Sequence, residues 1–204
     1  MYFFNSTLSD PQFLYQDIIL IIPAAILIGT TKPHSKLTKR MPPGKLMGWA
    51  VFSSVFFQVI LIFLFQIILL EILYRRIWYS PINPNGDNLV NNHVNSTLIK
   101  HVGFYFMSMV IVFSKGAPWR RPLFCNWGLS ACILIVTGVN IWLCFNPGER
   151  IRSYLQFVNL PTYWEGILFG AAVLHFILAY LLEMTNPLLA TFVDYLNLKF
   201  YNWY

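Results

Sequence analysis

Apolar residues run in five long blocks along the chain, separated by short polar stretches rich in Pro, Gly, Asn and basic side chains. A helix needs roughly 20 predominantly apolar residues to cross the hydrocarbon of a bilayer. Windows of that kind fall at 11–30, 49–74, 98–114, 123–145 and 163–182. The pattern predicts an all-α membrane protein with about five transmembrane helices. The third window is the weakest, because its apolar stretch is short and begins beside Lys100 and His101. It requires shielding by neighbouring helices or a small tilt. The membrane part is expected to occupy 1–185, followed by a short cytosolic tail at 186–204, whose aromatic run from Tyr195 to Tyr204 suits a membrane surface.

Composition supports the same solvent. The 204 residues are 57% hydrophobic, 18% aromatic and only 11% charged, with a mean hydropathy of +0.57. That is more apolar surface than one soluble core can bury, so the first partner is a lipid bilayer. The formal net charge of +6 could suggest nucleic acid, but the basic residues sit in short loops with no aromatic-interleaved basic face. Nucleic acid is therefore excluded as a partner.

The positive-inside rule turns those loops into an orientation. Lys32, Lys36, Lys39, Arg40 and Lys45 follow the first span, and Lys115, Arg120 and Arg121 follow the third. With Lys199, nine basic residues are expected on the cytosolic side against five outside, namely Arg75, Arg76, Lys100, Arg150 and Arg152. Two N-glycosylation acceptor patterns, Asn5-Ser6-Thr7 and Asn95-Ser96-Thr97, fall on the expected outer side. The first residues carry no basic n-region, so a cleavable signal peptide is not expected. The opening Tyr2-Phe3-Phe4-Asn5 reads as the tail of a preceding helix, and the chain is expected to be truncated at its front. Cys125, Cys132 and Cys144 all fall within one apolar run, where even the closest pair lies roughly 10 Å apart along a helix. Neither a disulfide framework nor a metal site is expected.

Ionised groups in hydrocarbon are costly, so acids within the spans are the first functional candidates. Asp10 and Asp17 flank the start of the first span, about two turns apart on nearly the same helix face. Together they form an acidic strip able to hold two ammonium groups of one extended cation. Asp10 has a structural reading as well, since Ser9-Asp10-Pro11 suits a helix start with Asp10 as N-cap and Pro11 at the first helical position. Glu71 and Arg75 are spaced for an ion pair. Gln58 and Gln66 suit bonds between helices. His101, Tyr105, Ser108 and His175 are read as packed polar residues, and Glu165 and Glu183 as solvated acids at span ends. Trp49, Trp78, Tyr79, Trp119, Tyr163 and Trp164 form the interfacial aromatic belt.

No phosphate-binding loop, dinucleotide fingerprint, zinc-protease motif or nucleophile elbow occurs. The longest loop, between Arg75 and Ser96, is too short to fold around a nucleotide. No catalytic residue is assigned.

Three segments carry a family resemblance. These are the opening Asp10-Pro11-Gln12-Phe13-Leu14-Tyr15-Gln16-Asp17, then Pro42-Pro43-Gly44-Lys45-Leu46, and the hairpin from Ser114 to Pro122 with Asn126. In this order they resemble segments of the P5B-type P-type ATPases, over about residues 1–185. The resemblance implies that the five spans correspond to helices 6–10 of the family's membrane domain, at its C-terminal end. It implies transport of polyamines or other cations from lumen to cytosol across endolysosomal membranes. It further implies that Asp17, Asp10, Gln12 and Phe13 contribute to the polyamine site. ATP and Mg2+ would serve the full-length family and act through the rest of the ATPase polypeptide, since the Asp-Lys-Thr-Gly phosphorylation segment and the actuator domain are absent here. The family's Asn-Tyr-Glu-Asn-Thr is Asn92-His93-Val94-Asn95-Ser96 in this chain, and its Phe-Gln-Tyr is Phe104-Tyr105-Phe106. The alternative expectation is a standalone multi-spanning protein that acts by helix–helix contact with partners. A secondary carrier using Asp17 would need an inverted repeat, and none is visible.

Overall fold

The computed structural model describes residues 6–35, 49–81, 90–114, 116 and 119–201. The first span is composite: α1 (Asp10–Leu14), a π-helical segment (Tyr15–Ile21) and α2 (Ile22–Gly29) run on without a break. It is followed by α3 (Trp49–Tyr74), α4 (His93–Phe113), a 3-10 turn (Leu123–Cys125), α5 (Trp127–Phe145), α6 (Glu149–Tyr154) and α7 (Thr162–Tyr201). Among the described residues there is no strand beyond a single bridge pairing Pro33 with Arg120. Five segments are long and apolar enough to cross a membrane, at Asp10–Gly29, Val51–Tyr74, His93–Phe113, Trp127–Phe145 and Thr162–Asn186. The all-α, five-span architecture expected from the sequence is the architecture observed.

Caps decide where the spans begin. Asn92 accepts a hydrogen bond from the Asn95 amide at 2.7 Å and starts α4 at His93, five residues before the apolar window opens. Asn126 accepts from the Leu129 amide at 3.2 Å and starts α5 at Trp127, because Leu123–Cys125 is spent on the 3-10 turn. The Asn126 amino group also reaches the Leu27 carbonyl at 2.8 Å and Thr31 Oγ1 at 3.0 Å. One side chain thus ties the basic end of the first span to the start of α5.

The weakest window in the sequence is the centre of the fold. The window in α4 is 61% buried, against 22–33% in the other four, because α4 packs on α3, α5, α7 and the π segment. Leu69, Leu70 and Leu73 of α3 meet Val94, Leu98 and Phe104 of α4 and Trp164, Leu168 and Ala172 of α7 in one cluster. A second cluster joins Tyr15 and Leu20 to Ile99, Met107, Val136 and Leu143. Gly103 lets α4 and α5 approach closely, since a Cβ there would lie 2.2 Å from Asn140 Oδ1. The outward faces stay apolar, with Ile26, Phe63, Leu134 and Met184 each more than 60% exposed, which suits lipid and not water.

α7 is 40 residues long, so the backbone expected to end its span near 182 stays helical to Tyr201. At the other end of the bundle, the connection after α6 folds inward. Gln156 takes a left-handed φ of 54°, and Leu155, Phe157 and Leu160 are buried around it. The Val158 amide donates to Ser96 Oγ at 2.9 Å, which fastens this connection to the first turn of α4.

Candidate functional site

The first span is set by a capping box. Ser9, not Asp10, is the N-cap: its hydroxyl accepts from the Gln12 amide, and Gln12 Oε1 accepts from the Ser9 amide at 3.1 Å. Serine wins this position because Gln12 stands three residues on and can answer it. Asp10 becomes the first helical residue with Pro11 next, where the helix dipole still favours its charge. Its carboxylate is exposed.

Gln12 is fully buried. Besides its cap bonds it donates to the Leu155 carbonyl at 2.7 Å and accepts from Asn95 Nδ2 at 3.0 Å. It holds the first span to α4 and to the connection after α6. Phe13 is half exposed, and Asp17 is exposed in the first turn of the π segment. Neither acid makes a side-chain hydrogen bond or ion pair with another described residue. The π segment has a local cause: Pro23 has no N–H for the Ile19 carbonyl, and its ring crowds that carbonyl. The helix widens instead, and the Ile22 amide reaches the Asp17 carbonyl. A π turn winds less per residue than an α turn, so Asp10 and Asp17 are rotated further apart about the axis than an unbroken α-helix would leave them. Both still point outward, and of the four candidates Asp10, Phe13 and Asp17 remain available to a ligand.

Several acids and amides lie elsewhere than the sequence suggested. Glu165 and Glu183 are buried, not solvated at span ends. Glu165 takes the Lys100 ammonium at 2.9 Å, and Glu183 accepts from Ser54 Oγ at 2.5 Å. Trp164 belongs to the core and not to the aromatic belt; its indole N–H donates to Thr97 Oγ1 at 3.1 Å. Asn95 is fully buried, and its amino group donates both to Gln12 Oε1 and to the Val90 carbonyl. It is therefore not an open glycan acceptor in this fold, and Asn5 falls outside the described residues. The Glu71–Arg75 pair forms as spaced, at 2.7 Å on the surface, and Gln58 donates to the Ala179 carbonyl of α7 at 2.9 Å.

One cluster that the sequence left as separate packed residues comes together. His101 of α4 and His175 of α7 are buried with ring centroids 5.9 Å apart. Phe65 stacks on the first at 6.1 Å and meets the second edge-on at 5.2 Å, and Tyr105 lies 5.4 Å from His175. Both ring nitrogens of His101 and Nε2 of His175 are buried without a hydrogen-bond partner. The pairing of Lys100 with Glu165 was also missed, although one signal pointed to it. A lysine inside an apolar window needs an acid, and Glu165 opens the last span.

No protein-family model matches the chain. Curated relatives do. Over 187 residues it is 30% identical to "Polyamine-transporting ATPase 13A2" of Homo sapiens and 29% identical to the protein of that name from Mus musculus, in each case covering 90% of this chain and 16% of the relative. It is 32% identical to "Vacuolar cation-transporting ATPase YPK9" of Saccharomyces cerevisiae over 143 residues, 70% of this chain and 10% of that relative. The chain belongs to the P5B-type cation- and polyamine-transporting ATPases. It spans about one sixth of the length of the 13A2 relatives it matches, and it is an integral membrane protein of that family. The buried amides of Gln12 and Asn95 hold the first span in place.

Proposed function

We propose that this chain is the membrane part of an ATP-driven P5B-type transporter, corresponding to the last five membrane helices, that moves polyamines or other cations from lumen to cytosol across an endolysosomal membrane. The observation that carries the reading is Asp17, an exposed carboxylate on a widened π turn inside the first span. A carboxylate in hydrocarbon is expensive unless a cation or water meets it, and π turns recur at functional sites. Asp17 takes one ammonium group, Asp10 a second nearer the membrane surface, and Phe13 lies beside them with its ring exposed.

ATP and Mg2+ belong to the rest of the polypeptide. The cavity at the basic end, lined by Thr30, Thr31, Lys32, Arg121 and Asn126, measures about 170 Å³, below the roughly 300–1,000 Å³ of small-molecule sites. No acid in its lining could hold Mg2+. That cavity does not fit a nucleotide, and on this reading the chain contributes binding and release of the cation.

The test is Asp17→Asn in the longer protein, read as polyamine-stimulated ATP hydrolysis and as uptake of labelled polyamine. The expected result is loss of stimulation by at least tenfold, with a smaller loss for Asp10→Asn. Wild-type stimulation in the Asp17 variant would refute the assignment.

A further inference from the structure

The Lys100 ammonium sits where three independent features favour a cation. Its Nζ donates to Glu165 Oε1 at 2.9 Å and to the Cys144 carbonyl at 2.9 Å, and it lies 5.9 Å from the centroid of the Phe157 ring. The Cys144 carbonyl belongs to the last turn of α5, where carbonyls lack helical partners and the helix dipole is negative. The carboxylate comes from the first turn of α7, and the aromatic face comes from the connection after α6. The two side chains are 2% and 7% exposed. The parts of the chain that carry these groups are packed independently of Lys100: Cys144 lies in one buried cluster with Trp164 and Leu168, and Phe157 in another with Leu155 and Leu143.

We propose that Glu165, the Cys144 carbonyl and the Phe157 ring form a binding site for a primary alkylammonium group, which the chain fills with its own Lys100. The carboxylate supplies charge, the carbonyl a second acceptor and the ring a cation–π face. The alkyl stem of such a ligand takes the volume that the lysine methylenes now fill. The site uses neither Asp10 nor Asp17 and does not depend on the transport function proposed above. A free amine competes for it only when the tether is removed.

Truncating Lys100 to Ala deletes three carbons and the nitrogen, the heavy atoms of propylammonium. The test therefore uses propylamine on the full chain in detergent, with the thermal unfolding midpoint as readout. Lys100→Ala is expected to unfold earlier than the wild type. Propylamine at ten times its dissociation constant should then raise that midpoint by about 3–6 °C, on the size scaling for a chain of this length. The wild type and the Lys100→Ala/Glu165→Gln double variant should not respond, and neither should Lys100→Ala with tetramethylammonium, which cannot donate hydrogen bonds. If Lys100→Ala does not fold unaided, its folded yield in cells grown with propylamine is measured instead, and a gain is expected. No response of Lys100→Ala, or an equal response of the wild type or the double variant, would overturn the proposal.

Discussion

Gln12 and Asp17 stand about one and a half turns apart on the first span and do opposite work. Gln12 spends its amide on the cap, on Leu155 and on Asn95, whereas Asp17 spends nothing on the fold. Gln12→Ala should therefore cost about 2–4 kcal/mol, because it removes a cap bond and leaves buried partners unpaired. Thermal unfolding in detergent measures this, and a loss below about 1 kcal/mol would deny Gln12 its structural role. Asp17→Asn should leave the same midpoint unchanged. The sequence singled out Asp17 as an acid in an apolar window and grouped Gln12 with it as a ligand-binding residue; the structure leaves Asp17 exposed and buries Gln12. The Leu155 carbonyl that explains Gln12 lies 143 positions away, and no local pattern points to it.

At the scale of elements, α4 shows what hydropathy misses. Its first turns hold Asn95, Ser96 and Thr97, all fully buried, and an apolar window counts such residues against a span. They lie inside because Gln12, Val158 and Trp164 hydrogen-bond to them, and those partners come from three other parts of the chain. The five spans were legible because bilayer thickness fixes their length. The starts of α4 and α5 were not, because asparagine caps set them. The close approach of α4 and α5 at Gly103 gives a sharp expectation. Gly103→Ala places a methyl on Asn140, which bonds both the Gly103 carbonyl at 3.3 Å and the Tyr15 hydroxyl at 2.7 Å. It should cost about 1–3 kcal/mol of stability. Gly138→Ala, where the corresponding space is open, should be neutral in the same unfolding assay.

Across the whole molecule, one end carries the basic groups and the other the folded connection after α6. Lys32, Arg120 and Arg121 gather at the basic end, where the Arg121 amide donates to the Lys32 carbonyl at 3.1 Å. Cys125 is exposed beside them, while Cys144 is buried near the opposite end of α5. In sealed vesicles of known orientation, a membrane-impermeant maleimide should label Cys125 from the cytosolic side only, and Cys144 only after denaturation. Labelling of Cys125 from outside would reverse the orientation.

The Lys100–Glu165 contact also sets a timetable for making the protein. A lysine within a span costs about 2.5–3.5 kcal/mol to insert on biological scales, and its acid follows 65 residues later. At about 5–20 residues per second a ribosome needs about 3–13 s to deliver it. For that interval the central helix of the fold is a marginal guest of the membrane, and a chain that stopped between the two residues would leave it one permanently.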